Sequence, residues 1–177
     1  MACEVEVQTY LFHQREVGEA RNRKPFYFNP LHDLESWWWI LNWVLHFHMD
    51  SDSQIPPPGH VEMYQRRFPG LALAPGTTRV HVLLAPMETA TFPPPFRATV
   101  RRLDDMCITL VKCYREAELI LPVEYRKPSL KLCQFMLDSI RRARNEVGSV
   151  TLKPSHLGGK HKAEHGSLPT AKRRKEE

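Results

Sequence analysis

Two histidines and an aspartate close to position 48 could hold a metal ion. His46, His48 and Asp50 alternate along the chain, and imidazole and carboxylate groups are common metal ligands. The same residues follow a strongly apolar run that ends at Phe47. A capping or surface role at the end of a helix is therefore favoured over metal binding.

The last part of the chain carries most of its positive charge. From residue 151 onward there are seven Lys or Arg against three Glu, while the net charge of the whole chain is +5. The cluster Lys172, Arg173, Arg174 and Lys175 could act as a nuclear-import signal or contact the phosphate backbone of a nucleic acid. A solvated charged terminus explains the same residues equally well. The histidines of this tail could bind a divalent ion only weakly.

The four cysteines give no sign of a zinc site or of a disulfide framework. Cys3, Cys107, Cys113 and Cys133 contain no C-x-x-C pair. We expect reduced thiols in an intracellular protein, cytoplasmic or nuclear. Residues 1–4 do not begin a signal peptide. The apolar run at residues 37–47 is too short to span a bilayer core of about 30 Å, so no membrane partner is expected.

One helix is predicted to form the centre of the fold. Residues 33–47 are apolar around nearly the whole helical circumference, and a helix of that kind is normally buried. Asp33 and Glu35 lie in its first turn, where the helix dipole favours negative charge. We therefore expect a buried central helix with Trp38 among its core contacts.

The other elements follow from periodicity and from turn-forming residues. Residues 97–118 form an amphipathic helix, and a second helix is predicted with Ser129 as its cap and Gly148 as its end. Residues 1–28 are mixed, with Val5 and Val7 in extended chain. Residues 49–95 are rich in proline and mostly irregular, and the type of the short run 79–84 stays open. The prediction is a mainly α body over residues 1–150, with long Pro-rich loops, and a disordered basic tail over 151–177.

The segment at residues 29–39 is more specific than its composition. It reads Asn-Pro-Leu-His-Asp-Leu-Glu-Ser-Trp-Trp-Trp and resembles the N-P-x-H-D-L-E-S-x-x-W segment of the fungal-type protein kinases, which opens the buried F helix of the kinase C-lobe. Residues 8–17 are similar to the G-T-x-x-F-M-A-x-E-V end of that family's activation segment. Gln8 replaces the glycine there, and His13-Gln14 replaces Met-Ala. The resemblance implies a C-lobe fragment built around one buried helix.

The resemblance also implies roles for four residues. Asp33 matches the F-helix aspartate that holds the catalytic loop, and Ser36 belongs to the same segment. Thr9 matches the threonine that contacts the catalytic aspartate in active kinases. Glu16 matches the glutamate that pairs with an arginine late in the C-lobe, and a solvated surface charge is the alternative for it. The arginine that would pair with Glu16 is left open.

The sequence contains none of the motifs that transfer phosphate. A complete family member uses ATP and magnesium, and needs a Gly-rich loop, a strand lysine, a catalytic-loop Asp and Asn, and D-F-G. Where that Asn would follow Asp33, Trp38 stands instead. We expect no catalytic, cofactor-binding or metal-binding residue in this chain, which would dock a protein partner on the exposed C-lobe face or act like a pseudokinase. The alternatives are an incomplete gene model of an active kinase, truncated before its catalytic motifs, and a nucleic-acid-associated protein acting through its tail.

Overall fold

Helices account for most of the chain in the computed structural model, which describes residues 2–7, 9–12, 26–50, 55–68, 76–119, 124–148 and 150–154. The helices are α1 (Cys3–Val7), α2 (Pro30–Phe47), α3 (His60–Arg67), α4 (Gly76–Leu84), α5 (Arg97–Leu119) and α6 (Arg126–Val147). Two short strands, β1 (His48–Asp50) and β2 (Leu152–Pro154), and single 3₁₀ turns at Thr89–Thr91 and Pro94–Phe96 complete the described elements. The prediction of a mainly α protein is confirmed.

Helix α2 begins earlier than predicted because Asn29 and Pro30 start it. The Asn29 side chain accepts a hydrogen bond from the backbone N–H of Leu31, and the ring of His32 accepts one from the backbone N–H of Asn29. This reciprocal arrangement satisfies N–H groups that the first turn of a helix leaves without partners. Pro30 fits the first helical position because it has no N–H to satisfy.

Only one side of α2 is buried, so the prediction of a helix enclosed all round is wrong. Trp38 and Trp39 lie in the core, and the Trp38 indole N–H donates to the Leu103 carbonyl at 2.8 Å. Trp37, Ile40 and Trp43 are 60%, 52% and 40% exposed. The core is formed against one side of the helix, chiefly by α5, and the described chain has too few elements to cover the other side as well.

Helices α5 and α6 form an antiparallel pair. Arg102 near the start of α5 pairs with Glu146 near the end of α6, and Lys131 pairs with Glu116 in the opposite sense. The α5 prediction is confirmed within one residue at its end. Helix α6 ends at Gly148, whose φ of 63° favours glycine, as predicted.

The cap of α6 differs from the prediction. Ser129 lies inside the first turn and its hydroxyl donates to the Tyr125 carbonyl at 2.6 Å. The carboxylate of Glu124 accepts from the backbone N–H groups of Arg126 and Lys127, at 2.6 and 3.2 Å, and caps the helix instead. A side chain just before the helix can reach these first N–H groups, whereas one inside the helix cannot.

Three local predictions are corrected by the described residues. The segment with Val5 and Val7 forms α1 rather than extended chain. The Pro-rich region contains α3 and α4, and the run 79–84 is helical. Strand β2 lies within the predicted tail and pairs antiparallel with β1, placing His48 opposite Pro154. Residues 155–177 lie outside the described part, so disorder there stays a prediction.

Membrane insertion finds no support in these helices. Among the described residues, no helix combines the length and the apolarity needed to cross a bilayer.

Replacing Trp38 with Ala is expected to lower the free energy of unfolding by about 3–5 kcal/mol, because it empties a core site and leaves the Leu103 carbonyl without its donor. Trp37→Ala is the matched control one residue away, and should cost less than about 1 kcal/mol because that ring is mostly exposed. Urea denaturation of both variants measures the difference. Equal losses would show that the two tryptophans are not on opposite sides of α2.

Candidate functional site

The conserved-looking pattern of residues 29–39 becomes a buried polar cluster at the start of α2. Its members are Glu4 from α1, His32 and Glu35 from α2, and Tyr114 and Glu118 from α5, each at most 2% exposed. We call this group the carboxylate cluster. Helical spacing explains part of it, because positions 32 and 35 lie on the same side of α2 as Trp38.

His32 is a neutral hydrogen-bonding link within the carboxylate cluster. Its Nδ1 accepts from the Asn29 backbone N–H at 3.1 Å, so the proton lies on Nε2, which donates to the Glu4 carboxylate at 2.8 Å. Burial lowers the pKa of His32, although Glu35 and other acidic neighbours oppose the shift. The His32–Glu4 contact would be an ion pair only with a protonated ring, and we assign it as a hydrogen bond from a neutral one.

Glu35 receives hydrogen bonds from three separate parts of the chain. One carboxylate oxygen accepts from the Cys3 backbone N–H at 2.8 Å and from the Trp39 indole at 3.0 Å. The other accepts from the Tyr114 hydroxyl at 2.8 Å. Burial raises the pKa of Tyr114, and the charge of Glu35 adds to that effect, so the phenol remains a donor. Glu35 thereby ties α1, α2 and α5 together.

Two more carboxylates hold the segment that follows α1. Glu4 accepts from the Leu11 backbone N–H and Glu118 accepts from the Phe12 backbone N–H, both at 2.7 Å. The Arg115 guanidinium lies 4.8 Å from the centre of the Phe12 ring, a cation–π contact. The carboxylate cluster therefore fixes residues 3–12 onto α2 and α5.

The carboxylate cluster is suited to positioning and not to catalysis. Burial raises the pKa of Glu4 to about 6, with a further contribution from the charge of Glu35. A carboxyl group with such a pKa could exchange protons near neutrality. Glu4 and Glu35 are both 0% exposed, however, so a substrate cannot reach either.

The residues carried over from the kinase resemblance are not assembled into one site. Asp33 is exposed in the first turn of α2, while the Ser36 hydroxyl donates to the His32 carbonyl at 2.9 Å. Thr9 is exposed, and its backbone N–H donates to the Glu4 carbonyl at 3.3 Å. Glu16 and the basic cluster at residues 172–175 lie outside the described residues.

A second buried polar group lies under the end of α2. The Nδ1–H of His46 donates to the Asn42 carbonyl at 2.8 Å, and its Nε2 has no hydrogen-bond partner. Burial lowers the pKa of His46 to about 4, and the positive charges of Arg67 and His60 act in the same direction. His60 lies between two acceptors, the carbonyls of Thr91 and His46, each at 3.0 Å.

The metal interpretation of His46, His48 and Asp50 gains no support. The His48 ring donates to the Val44 carbonyl at 2.9 Å, which is a capping contact at the end of α2. The Asp50 side chain is outside the described part. No group of three metal-ligating side chains occurs among the residues whose side chains are described.

The accessible candidate site is on the exposed side of α2. Trp37, Ile40 and Trp43 follow each other at three-residue steps and form what we call the outer face of α2. Beside it lies a cavity of about 210 Å³, here called the α2 pocket. Its lining is largely aromatic, with one cation: Ser36, Trp39, Ile40, Trp43, Phe68 and Arg79.

The α2 pocket is shaped by contacts between three helices. The Trp39 ring meets the ring of Phe68, which follows α3, edge to face with centres 6.0 Å apart. The Arg79 guanidinium from α4 lies 5.5 Å from the centre of the Trp39 ring. An aromatic surface bordered by an arginine is the composition typical of protein-interface hot spots.

Comparison of the chain with protein-family models, with curated proteins and with solved structures finds no match. The functional argument therefore depends on the geometry described above and on the sequence resemblance.

Replacing Glu35 with Gln is expected to destabilise the protein by about 1–3 kcal/mol, because the new amide N–H₂ would face one of three existing donors. Asp33→Asn is the matched control in the same helical turn. It should cost less than about 1 kcal/mol, the usual range of an exposed helix-dipole interaction. Chemical denaturation compares the two. A larger loss for Asp33→Asn would restore that residue as the main anchor.

Acid is expected to destabilise the fold through His46. Its pKa is 6.5 when exposed and about 4 in the folded protein, so between these pH values the unfolded chain binds the proton and the folded chain does not. The resulting loss is about 3 kcal/mol as the pH falls through that window. Glu4 opposes it, because its raised pKa stabilises the folded state as the pH falls from about 6 to 4.5.

His46→Phe isolates this contribution. The difference in unfolding free energy between wild type and the variant should shift by about 3 kcal/mol between neutral pH and pH 4, in favour of the variant at low pH. Urea denaturation at several pH values gives this difference directly. A constant difference would show that His46 titrates normally in the folded protein.

Proposed function

We propose that this chain is a non-catalytic protein-docking module, related to the C-lobe of the fungal-type protein kinases, that binds a partner through the outer face of α2. The observation that carries the proposal is the exposure of Trp37, Ile40 and Trp43 on a helix whose opposite side forms the core. Large apolar side chains grouped on a surface commonly mark a binding site for another protein. Tryptophan is among the residues that contribute most at such sites.

The apolar surface extends from α2 onto α6. Leu130, Leu137 and Ile140 are exposed on α6, at spacings that place them on one side of the helix. Val44 and Val147, near the ends of α2 and α6, line one apolar cavity of about 150 Å³, so the two helices end on the same side of the body. A partner helix lying along both would bury more apolar area than either helix offers by itself.

Docking is favoured over phosphate transfer by the residues in the sequence. The polar groups with shifted pKa values near α2, Glu4 and His32, are buried within hydrogen bonds to the protein itself. The exposed side of α2 presents aromatic and aliphatic groups, which bind partners but do not activate phosphates. A pseudokinase-like role in regulating another protein is consistent with this surface.

A photocrosslinking amino acid tests the docking proposal directly. Benzoylphenylalanine placed at position 40, in cells that naturally make the protein, should give a discrete adduct, and the identified partner should bind the purified chain. The matched control is position 108, because Ile108 is similarly exposed but lies on α5. Trp37→Ser should weaken binding by about tenfold or more, as expected for an interface tryptophan. Equal labelling from both positions would contradict the proposal.

The purified chain is expected to show no phosphate transfer to a generic protein substrate and no change in melting temperature with ATP and magnesium. The physical reason is that the sequence contains no motif for holding the phosphates or the metal. A thermal shift assay and radiolabelled phosphate incorporation measure the two effects. Activity in both would favour the kinase interpretation over docking.

A further inference from the structure

We infer that the α2 pocket is the specificity pocket of the docking face, and that it receives a bulky apolar side chain lying next to a carboxylate in an acidic peptide segment of the partner. This inference rests on the proposed docking function and adds the chemistry of the partner. It comes from the combination of an apolar cavity with a single cation at its edge.

The size and walls of the α2 pocket suit one side chain. Its volume of about 210 Å³ is below the range of about 300–1,000 Å³ typical of sites for drug-sized molecules. Trp39 forms its buried part at 6% exposure, while Ile40 and Trp43 form an accessible rim. An aromatic or large aliphatic group entering from the outer face would stack against indole on two sides.

Arg79 supplies the charge that selects the neighbour of that side chain. Its guanidinium lies over the Trp39 ring at 5.5 Å, an arrangement that uses the face of the group. The N–H donors of a guanidinium lie in its plane and match the two oxygens of a carboxylate. An acidic residue beside the apolar anchor can therefore bind Arg79 while the anchor occupies the pocket.

The same contact disfavours a positively charged occupant. Aromatic pockets often bind cations through the faces of their rings, and indole is the best of these. Here Arg79 already lies over the Trp39 ring, and the lining residues include no carboxylate. A second cation would meet repulsion without compensation, so the pocket discriminates by charge as well as by shape.

Three small molecules with the same ring test this selectivity. They are 3-phenylpropionate, 3-phenylpropanamide and 3-phenylpropylammonium, titrated into the ¹⁵N-labelled full chain while the indole N–H signals of Trp39 and Trp43 are followed by NMR. The anion should bind about two- to fivefold more tightly than the amide, the range for an exposed ion pair, and the cation most weakly. All three should bind more weakly to Trp43→Ala.

Arg79→Gln should remove the difference between the anion and the amide without removing their binding. Arg115→Gln is the matched control, because Arg115 also lies over an aromatic ring but on a different part of the fold. It should leave the preference unchanged. Thermal unfolding of both variants separates a loss of selectivity from a loss of folding, and Arg79→Lys should keep the order of the three compounds even where Arg79→Gln is destabilised.

Failure of this inference can be distinguished from failure of the docking proposal. Equal binding of the three compounds, or tightest binding of the cation, would overturn the charge selectivity and leave docking in place. Absence of binding by all three, with crosslinking from position 40 intact, would remove the α2 pocket from the docking face. Absence of both would overturn the two together.

Discussion

The fold depends on a buried carboxylate that accepts three hydrogen bonds. Glu35 is 0% exposed, and its donors come from the Cys3 backbone, the Trp39 indole and the Tyr114 hydroxyl. Removing a carboxylate from water is costly unless hydrogen bonds replace the lost hydration. Charge-assisted hydrogen bonds are stronger than neutral ones, so three of them can offset that cost and fix the geometry of the donors. Helices α1, α2 and α5 are consequently held in one arrangement.

That arrangement explains why one side of α2 is available for binding. The polar residues of the buried side engage α1 and α5, and the adjacent Trp38 is fixed by its bond to Leu103. With its buried side fixed in this way, α2 can present large rings to solvent without rotating them inward. A rigid helix with exposed aromatic groups loses little conformational freedom when it binds, which favours affinity.

The long amphipathic helices could be predicted from the sequence, and the polar core could not. Apolar spacing located α5 and α6 because their buried residues recur with the helical period. Asp33 attracted attention as a first-turn charge, whereas the structure buries its neighbours His32 and Glu35. The partners of those two residues are Glu4 and Tyr114, and no local pattern links positions so distant in sequence. The exposure of Trp37 was missed for a related reason, because hydrophobicity does not show how many elements surround a helix.

The hydrogen bond between Phe12 and Glu118 joins residues 106 positions apart, which has a consequence for the order of folding. The α5–α6 pair can form early, because its contacts are local and little loop-closure entropy opposes them. The segment around α1 has to wait for α5 before its buried carboxylates find their partners. During synthesis, when the chain grows from its first residue, Glu4 and Phe12 emerge long before Glu118. The beginning of the protein is therefore expected to be among the last parts to reach its native contacts, and to be the part most open to chaperones on the ribosome.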